Sequence, residues 1–194
     1  MDSQRLRAVI ASAQAGDPEA YRALLDAYGR RLYGYFLRAT GNHHDAEDLL
    51  GELMLRLVSK IGKYDDRGRF EPWMFRIAAN MVRDRIRRIR TSPAPVSLSA
   101  ETDSGTTRAE QLPAGTDEIE RGLLAAEASA ELHAALEKLD VTTRQMILLR
   151  HFGQMSFKEI AELFECPLGT ALAKVHRGLR SLRKWMDAEH DADR

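Results

Sequence analysis

The sequence predicts an all-α protein built from two small helical domains joined by a flexible acidic linker. Three observations carry that prediction. Apolar residues recur at spacings of three and four from Leu6 to Arg90 and again beyond about Asp117. No stretch shows the strict alternation of a half-buried strand. Between the periodic parts lies TSPAPVSLSAETDSGTTRAEQLPAGT, residues 91–116, which has no apolar period and too little apolar surface to offset the entropy of ordering it. A composition of 44% hydrophobic but only 7% aromatic residues suits helical domains with modest cores.

Each element has its own punctuation. Asp17 followed by Pro18 reads as an N-cap with proline in the first turn. Ala20, Leu24, Tyr28, Leu32 and Tyr35 then mark one helical face until Gly41-Asn42 breaks it. The run His43-His44-Asp45 reads as a helix start rather than a metal site. Leu49, Leu53, Leu57 and Ile61 mark the next helix, which Gly62 should end, leaving KYDDRGR as a loop. A helix from Phe70 to Arg90 follows, and helical period returns through Leu124, Leu132, Leu136 and Leu139. Thr142-x-x-Gln145 and Ser156-x-x-Glu159 are both capping-box patterns. Gly153 should end the first helix they open. The second, SFKEIAELF, leads through the turn ECP into LGTALAKVHRGLRSLRKW, with Pro167 at the start. A short helix, a tight turn and a longer basic helix make the order of a helix-turn-helix, although αα-hairpins in ordinary bundles share it.

Several function classes are disfavoured. The single cysteine, Cys166, permits no internal disulfide, has no basic cluster beside it and reads as an inert, buried thiol. No zinc-spaced Cys/His cluster, Walker loop or nucleophile–base arrangement is present, so neither a cofactor nor an enzyme is expected. The start of the chain lacks signal-peptide order, and no apolar run approaches the ~20 residues of a membrane helix, so a cytoplasmic protein is expected. Net charge is zero, with 29 basic and 29 acidic residues, but it is unevenly spread. Residues 1–92 carry 17 basic and 12 acidic residues, residues 93–138 carry 3 and 9, and the remainder 9 and 8. Such asymmetry suggests different partners for different parts.

The basic excess concentrates on one helix. On a helical wheel Phe70, Trp73, Met74, Ile77 and Met81 share a face that Phe75, Val82, Ile86 and Ile89 widen. Arg76, Asn80, Arg83, Arg87 and Arg90 form one stripe on the other side. Charged stripes are commonly solvated faces. Guanidinium groups in register nevertheless repel one another unless something anionic lies along them, and a phosphate backbone is such a partner.

The stretch GRFEPWMFRIAANMVRDRIRR resembles the promoter-melting segment of the extracytoplasmic-function sigma factors, the smallest branch of the sigma-70 family of bacterial RNA polymerase specificity subunits. The matching positions are Phe70, Trp73, Met74, Ile77, Ala78, Asn80, Asp84 and Arg87-Arg88. GDPEAYRALLDAYGRRLYGYFLR and DAEDLLGELMLRLV resemble the earlier helices of the same domain, and LEKLDVTTRQMILLRHFGQMSFKEIAELFECPLGTALAKVHRGLRSLR resembles the family's second domain. The resemblance implies a region 2 domain at residues 1–92, a linker at 93–122, a region 4 helix-turn-helix domain at 123–187 and a tail at 188–194.

It also implies a non-catalytic subunit that binds core polymerase and directs initiation by recognising −35 and −10 promoter elements. A coiled coil of the polymerase largest subunit would meet Asp48, Leu49, Glu52, Met54 and Leu55, with Gly51 standing where the family often has glutamine. The melted −10 strand would meet Asp65, Asp66, Arg67 and Arg69 of the loop, with Asn80 reading a base and Arg76, Arg83 and Arg87 holding phosphates. Tyr64, Phe70 and Phe75 are stacking platforms or core. The −35 element would meet Leu172, Ala173, Lys174, His176 and Arg177. Leu172 stands where the family is commonly basic, which fits apolar contact with thymine methyls or weak −35 reading. Lys174, Arg177, Ser181 and Lys184 suit phosphates or the polymerase flap. The acidic linker would mimic nucleic acid in the polymerase or act as a plain tether. An anti-sigma factor is the expected regulator. The rival expectation is a stand-alone helix-turn-helix regulator that binds duplex without polymerase.

Overall fold

The computed structural model describes residues 1–91 and 130–192, and among them every regular element is helical. Four α-helices come first: α1 (Ser3–Gln14), α2 (Pro18–Thr40), α3 (His43–Lys60) and, after a 3₁₀ turn at Ile61–Lys63 and a loop, α4 (Phe70–Thr91). The second group is α5 (residues 130–137), α6 (Val141–Phe152), α7 (Phe157–Leu163) and α8 (Leu168–Ala192). The expected linker and the helical pattern from Asp117 through Leu124 lie outside the described residues.

Local chemistry sets the boundaries. Asp17 accepts from the Glu19 amide and Pro18 opens α2, while Gly41, at φ +75°, takes the left-handed position that ends it. The cap of α3 is Asn42, whose side chain accepts from the Asp45 amide, so the His43-His44-Asp45 run is the first turn itself. Gly62 lies within the 3₁₀ turn rather than ending α3. The box expected at Thr142 does not form. Asp140 caps α6 by accepting from the Thr143 amide, which places Thr142 inside the helix and leaves Gln145 buried. The box at Ser156 and Glu159 forms in both directions.

In the first group the inner face of α2 (Leu24, Tyr28, Leu32, Tyr35, Phe36) packs on Leu49, Leu53 and Leu57 of α3 and on Met74, Phe75, Ala78 and Val82 of α4, all buried. Each large side chain so hidden stabilises by roughly 1.5–3 kcal/mol before entropy is counted. The apolar arc of α4 is narrower than its sequence suggests, since Ile89 is largely exposed. In the second group Met146 and Leu149 of α6, Ile160 and Leu163 of α7, and Ala171, Val175 and Leu182 of α8 form the centre. On α8, Leu168 and Leu179 are about half exposed, and Ala171 and Gly178 take the inward places. Gly178 permits close approach to α6: a Cβ there would lie 2.5 Å from Thr143 Cγ2 and 2.8 Å from Ile147 Cδ1.

The groups share one continuous core. Phe152 of α6 packs on α2 at Gly34, with its ring edge-on to Tyr35 at 6.5 Å and beneath the Arg38 guanidinium at 5.6 Å. Gly153 sits against Phe75.

Candidate nucleic-acid interface

Because α4 buries Met74, Phe75, Ala78 and Val82, a 3.6-residue period turns Arg76, Asn80, Arg83 and Arg87 outward, and all four are exposed. Arg87 pairs with Asp84 at 2.9 Å. Arg85 points the other way and is tied to Asp45 at the start of α3, a hydrogen bond that raises its basicity further. The side chain of Arg90, the last member of the expected stripe, lies outside the described residues.

The loop before α4 is held from three directions. Gln14 of α1 donates to the carbonyls of Ile61 at 3.0 Å and Tyr64 at 2.7 Å. Asp66 accepts from the Gly68 amide at 2.9 Å and from the Tyr64 hydroxyl at 3.3 Å. Arg67 pairs with Asp65 at 2.7 Å, and Arg7 approaches Asp66 at 3.9 Å. Partial burial, reinforced by Asp66, pushes the Tyr64 phenol up to about 12. The Tyr64 and Trp73 rings lie 4.6 Å apart and are half-buried, forming an aromatic wall beneath the loop. Of the expected stacking platforms only Tyr64 is accessible. Phe70 and Phe75 are core, because the helical period that aligns the arginines outward turns both rings inward.

On the second group, Phe164–Pro167 joins α7 to α8. Glu165, at φ +51°, adopts the left-handed conformation for which glycine is usual. Pro167 directly precedes the first helical residue, and its carbonyl accepts the first bonds of α8. Cys166 is half-buried in this turn and packs against the core. Ala173, His176 and Arg177 are exposed, whereas Leu172 is half-buried. His176 stacks on Phe157 at 6.1 Å, and Arg150 lies over the same ring at 5.2 Å. Lys174 is 3.7 Å from Asp140. Arg177 Nε donates back to the Ala173 carbonyl at 3.2 Å.

The outer face of α3 is different in kind. Asp48 and Glu52 are exposed, Glu52 is bonded to Arg56, and Met54 is partly buried. Leu55 is 73% exposed and Val58 52%. Leu49 is not on this face: at 4% exposure it belongs to the core, one turn before Leu53. Its expected contact with a partner is therefore corrected to a structural role.

Comparison with known proteins decides what these surfaces belong to. Sigma-70 region 2 matches residues 24–91 and sigma-70 region 4 matches residues 129–182. The ECF RNA polymerase sigma factor SigW of Bacillus subtilis is 31% identical over 175 residues, spanning 90% of this chain and 93% of that protein. The chain belongs to the extracytoplasmic-function branch of the sigma-70 family. It is an RNA polymerase sigma factor.

The RNA polymerase sigma-H factor of Pseudomonas aeruginosa is 24% identical over 176 residues, 91% of each chain. The solved structure of CnrH in complex with the cytosolic domain of CnrY shares the fold, with a TM-score of 0.60 at 23% identity over 94% of this chain and 97% of that one. In this sigma factor the region 2 match runs from Leu24 of α2 to the end of α4, and the region 4 match ends at Leu182 of α8. Among the described residues there is no group of metal-binding side chains and no helix long and apolar enough to cross a membrane.

Sequence reasoning missed Gln14, whose partners lie some fifty residues away, and Val58, which its i, i+3 spacing from Leu55 on the outer face could have revealed. It read Glu159 only as a cap. The structure adds an ion pair between Glu159 and Arg69 of the loop.

Proposed function

We propose that this sigma factor grips the melted −10 strand with the outer face of α4 and the loop at 63–69. Arg76, Arg83 and Arg87 hold phosphates and Asn80 reads a base edge, for which an amide is suited because it both donates and accepts. Asp65, Asp66, Arg67 and Arg69 shape the pocket above Tyr64 and Trp73. The observation that carries this reading is the continuity of the exposed arginine and asparagine row with a braced loop over an accessible aromatic wall.

The exposed row Ala173, His176 and Arg177, flanked by Lys174 and the half-buried Leu172, meets the −35 element in the major groove. On α3, Asp48, Glu52, Met54 and Leu55, joined by Val58, meet the coiled coil of the polymerase largest subunit. The domains are taken as 1–92, 93–122 for the linker, 123–187 and 188–194. The protein acts in the cytoplasm as a non-catalytic subunit. An anti-sigma partner is part of the reading. A cavity of about 690 Å³, lined by Leu132, Leu136, Phe152 and Leu179 and rimmed by Arg38 and Arg150, suits an apolar helix with an acidic flank.

The test is to mix the chain with bacterial core polymerase and measure complex formation and transcription from a genomic fragment library. A complex with new, discrete start sites is expected and yields both elements. No complex, together with tight duplex binding by the chain alone, would instead establish a stand-alone regulator.

A further inference from the structure

Helix α1 lies outside the residues assigned to the promoter, yet its last residue reaches the base of the loop that shapes the −10 pocket. Gln14 Nε2 carries two hydrogens, and both are used there. One goes to the Ile61 carbonyl at 3.0 Å and the other to the Tyr64 carbonyl at 2.7 Å. A carbonyl only accepts, so the side-chain oxygen of Gln14 could not take the place of its nitrogen. The two bonds bracket the 3₁₀ turn and the first residue after it. The prop is itself fixed. Ile10 and Ala13 bury the inner face of α1. The Tyr21 hydroxyl donates to the Ala13 carbonyl at 2.8 Å, and the Ser12 hydroxyl to Asp17 at 2.7 Å.

Where the Tyr64 backbone sits fixes the rest of the pocket. Its ring lies 4.6 Å from Trp73 and edge-on to Phe70 at 5.5 Å, and its hydroxyl donates to Asp66 at 3.3 Å. Asp66 in turn accepts from the Gly68 amide at 2.9 Å. A chain of contacts thus runs from the Gln14 amide through Tyr64 to the far side of the loop. We propose that Gln14 is the positioning residue of the −10 pocket: without touching DNA, its amide fixes the spacing between the loop at 63–69 and the Tyr64–Trp73 wall, and so sets how strictly one unstacked base is read. The proposal deepens the −10 reading and rests on it. A polar pocket rejects a wrong base because the groups that base cannot meet are left unpaired. That penalty holds only while the pocket cannot relax around the wrong base, so the residues that stiffen it carry specificity. A loop closed by its own internal bonds can shift as a unit; one pinned to a separate helix cannot.

Three substitutions separate donation from shape and from folding. Gln14→Ala removes both bonds. Gln14→Glu keeps the shape but offers only acceptors to two carbonyls, and Gln14→Lys supplies donors again through its ammonium. Gln14 is exposed, and Ala, Glu, Lys and Gln are all good helix formers, so α1 itself is little disturbed. Hydrogen exchange of the amides at 64–69 in the free full-length chain reports the brace. Initiation by the holoenzyme, on a promoter recovered by start-site mapping and with each −10 base replaced in turn, reports the reading.

In Gln14→Ala and Gln14→Glu the loop amides should exchange faster. Discrimination at one −10 position should fall about fivefold, the worth of one net hydrogen bond, with −35 preferences unchanged. Gln14→Lys should return both readouts toward wild type. Faster exchange with unchanged discrimination overturns the proposal, as does an equal loss of initiation on every base. Gln14→Glu matching wild type overturns it too, because shape rather than donation would then suffice. A wild-type holoenzyme with no preference at any −10 position removes the −10 reading and the proposal with it, and exchange measured without polymerase tells that failure from failure of the brace.

Discussion

Leu49 and Leu55 are both leucines on α3, six residues apart, and the structure buries the first and exposes the second. Leu55→Ala removes a side chain that is 73% exposed, so the stability of the free chain should stay within about 0.5 kcal/mol of wild type. If α3 docks on the polymerase through this face, docking hides most of that side chain. Full burial of a leucine is worth roughly 1.5–3 kcal/mol, and three-quarters of it newly hidden leaves about 1–2 kcal/mol. The affinity for core polymerase should therefore fall by roughly 5–30-fold. Leu49→Ala empties a core position at 4% exposure and should destabilise the fold by about 2–5 kcal/mol, with little change in the affinity of the folded fraction. Urea unfolding measures the first quantity, and an anisotropy titration of labelled chain with core polymerase the second. Leu55→Ala binding within twofold of wild type would refute the assignment, as would Leu49→Ala losing affinity with unchanged unfolding.

On α4, Arg76→Ala should weaken single-strand binding alike for all sequences and reduce the salt slope by about 0.7, whereas Asn80→Ala should leave the slope unchanged and erase discrimination at one base; titrations across salt and sequence separate the two. Gly178→Ala gains about 1 kcal/mol in helix propensity, but its Cβ must displace buried Thr143 and Ile147, and overpacking costs about 1–3 kcal/mol. A fall in thermal stability is expected, and a rise would show that α6 and α8 separate freely. Asp140→Ala should cost about 1 kcal/mol through loss of the α6 cap. Partial burial works against the Asp140 carboxylate, but bonds from Thr143 and the nearby Lys174 prevail and lower its folded pKa. The cap's contribution is thus present in full above the unfolded value of about 3.9 and lost as pH falls through the folded value, so the stability gap to the variant should close in acid.

Much of region 2 was legible because one period both buries and exposes. The spacing that places Leu24, Tyr28, Leu32 and Tyr35 in the core is the same spacing that turns Arg76, Asn80 and Arg83 outward on α4. Caps were legible where one side chain had no competitor, as at Asp17 and Ser156. At Thr142 two candidates stood within three residues, and the carboxylate of Asp140 took the helix start. Leu49 was less legible because the stretch that resembles the family's contact segment spans a whole helix, one face of which is core. Partners far apart in sequence left no signal: Gln14 with Tyr64, Arg83 with Leu163 and Arg69 with Glu159 exist only because the chain folds back on itself.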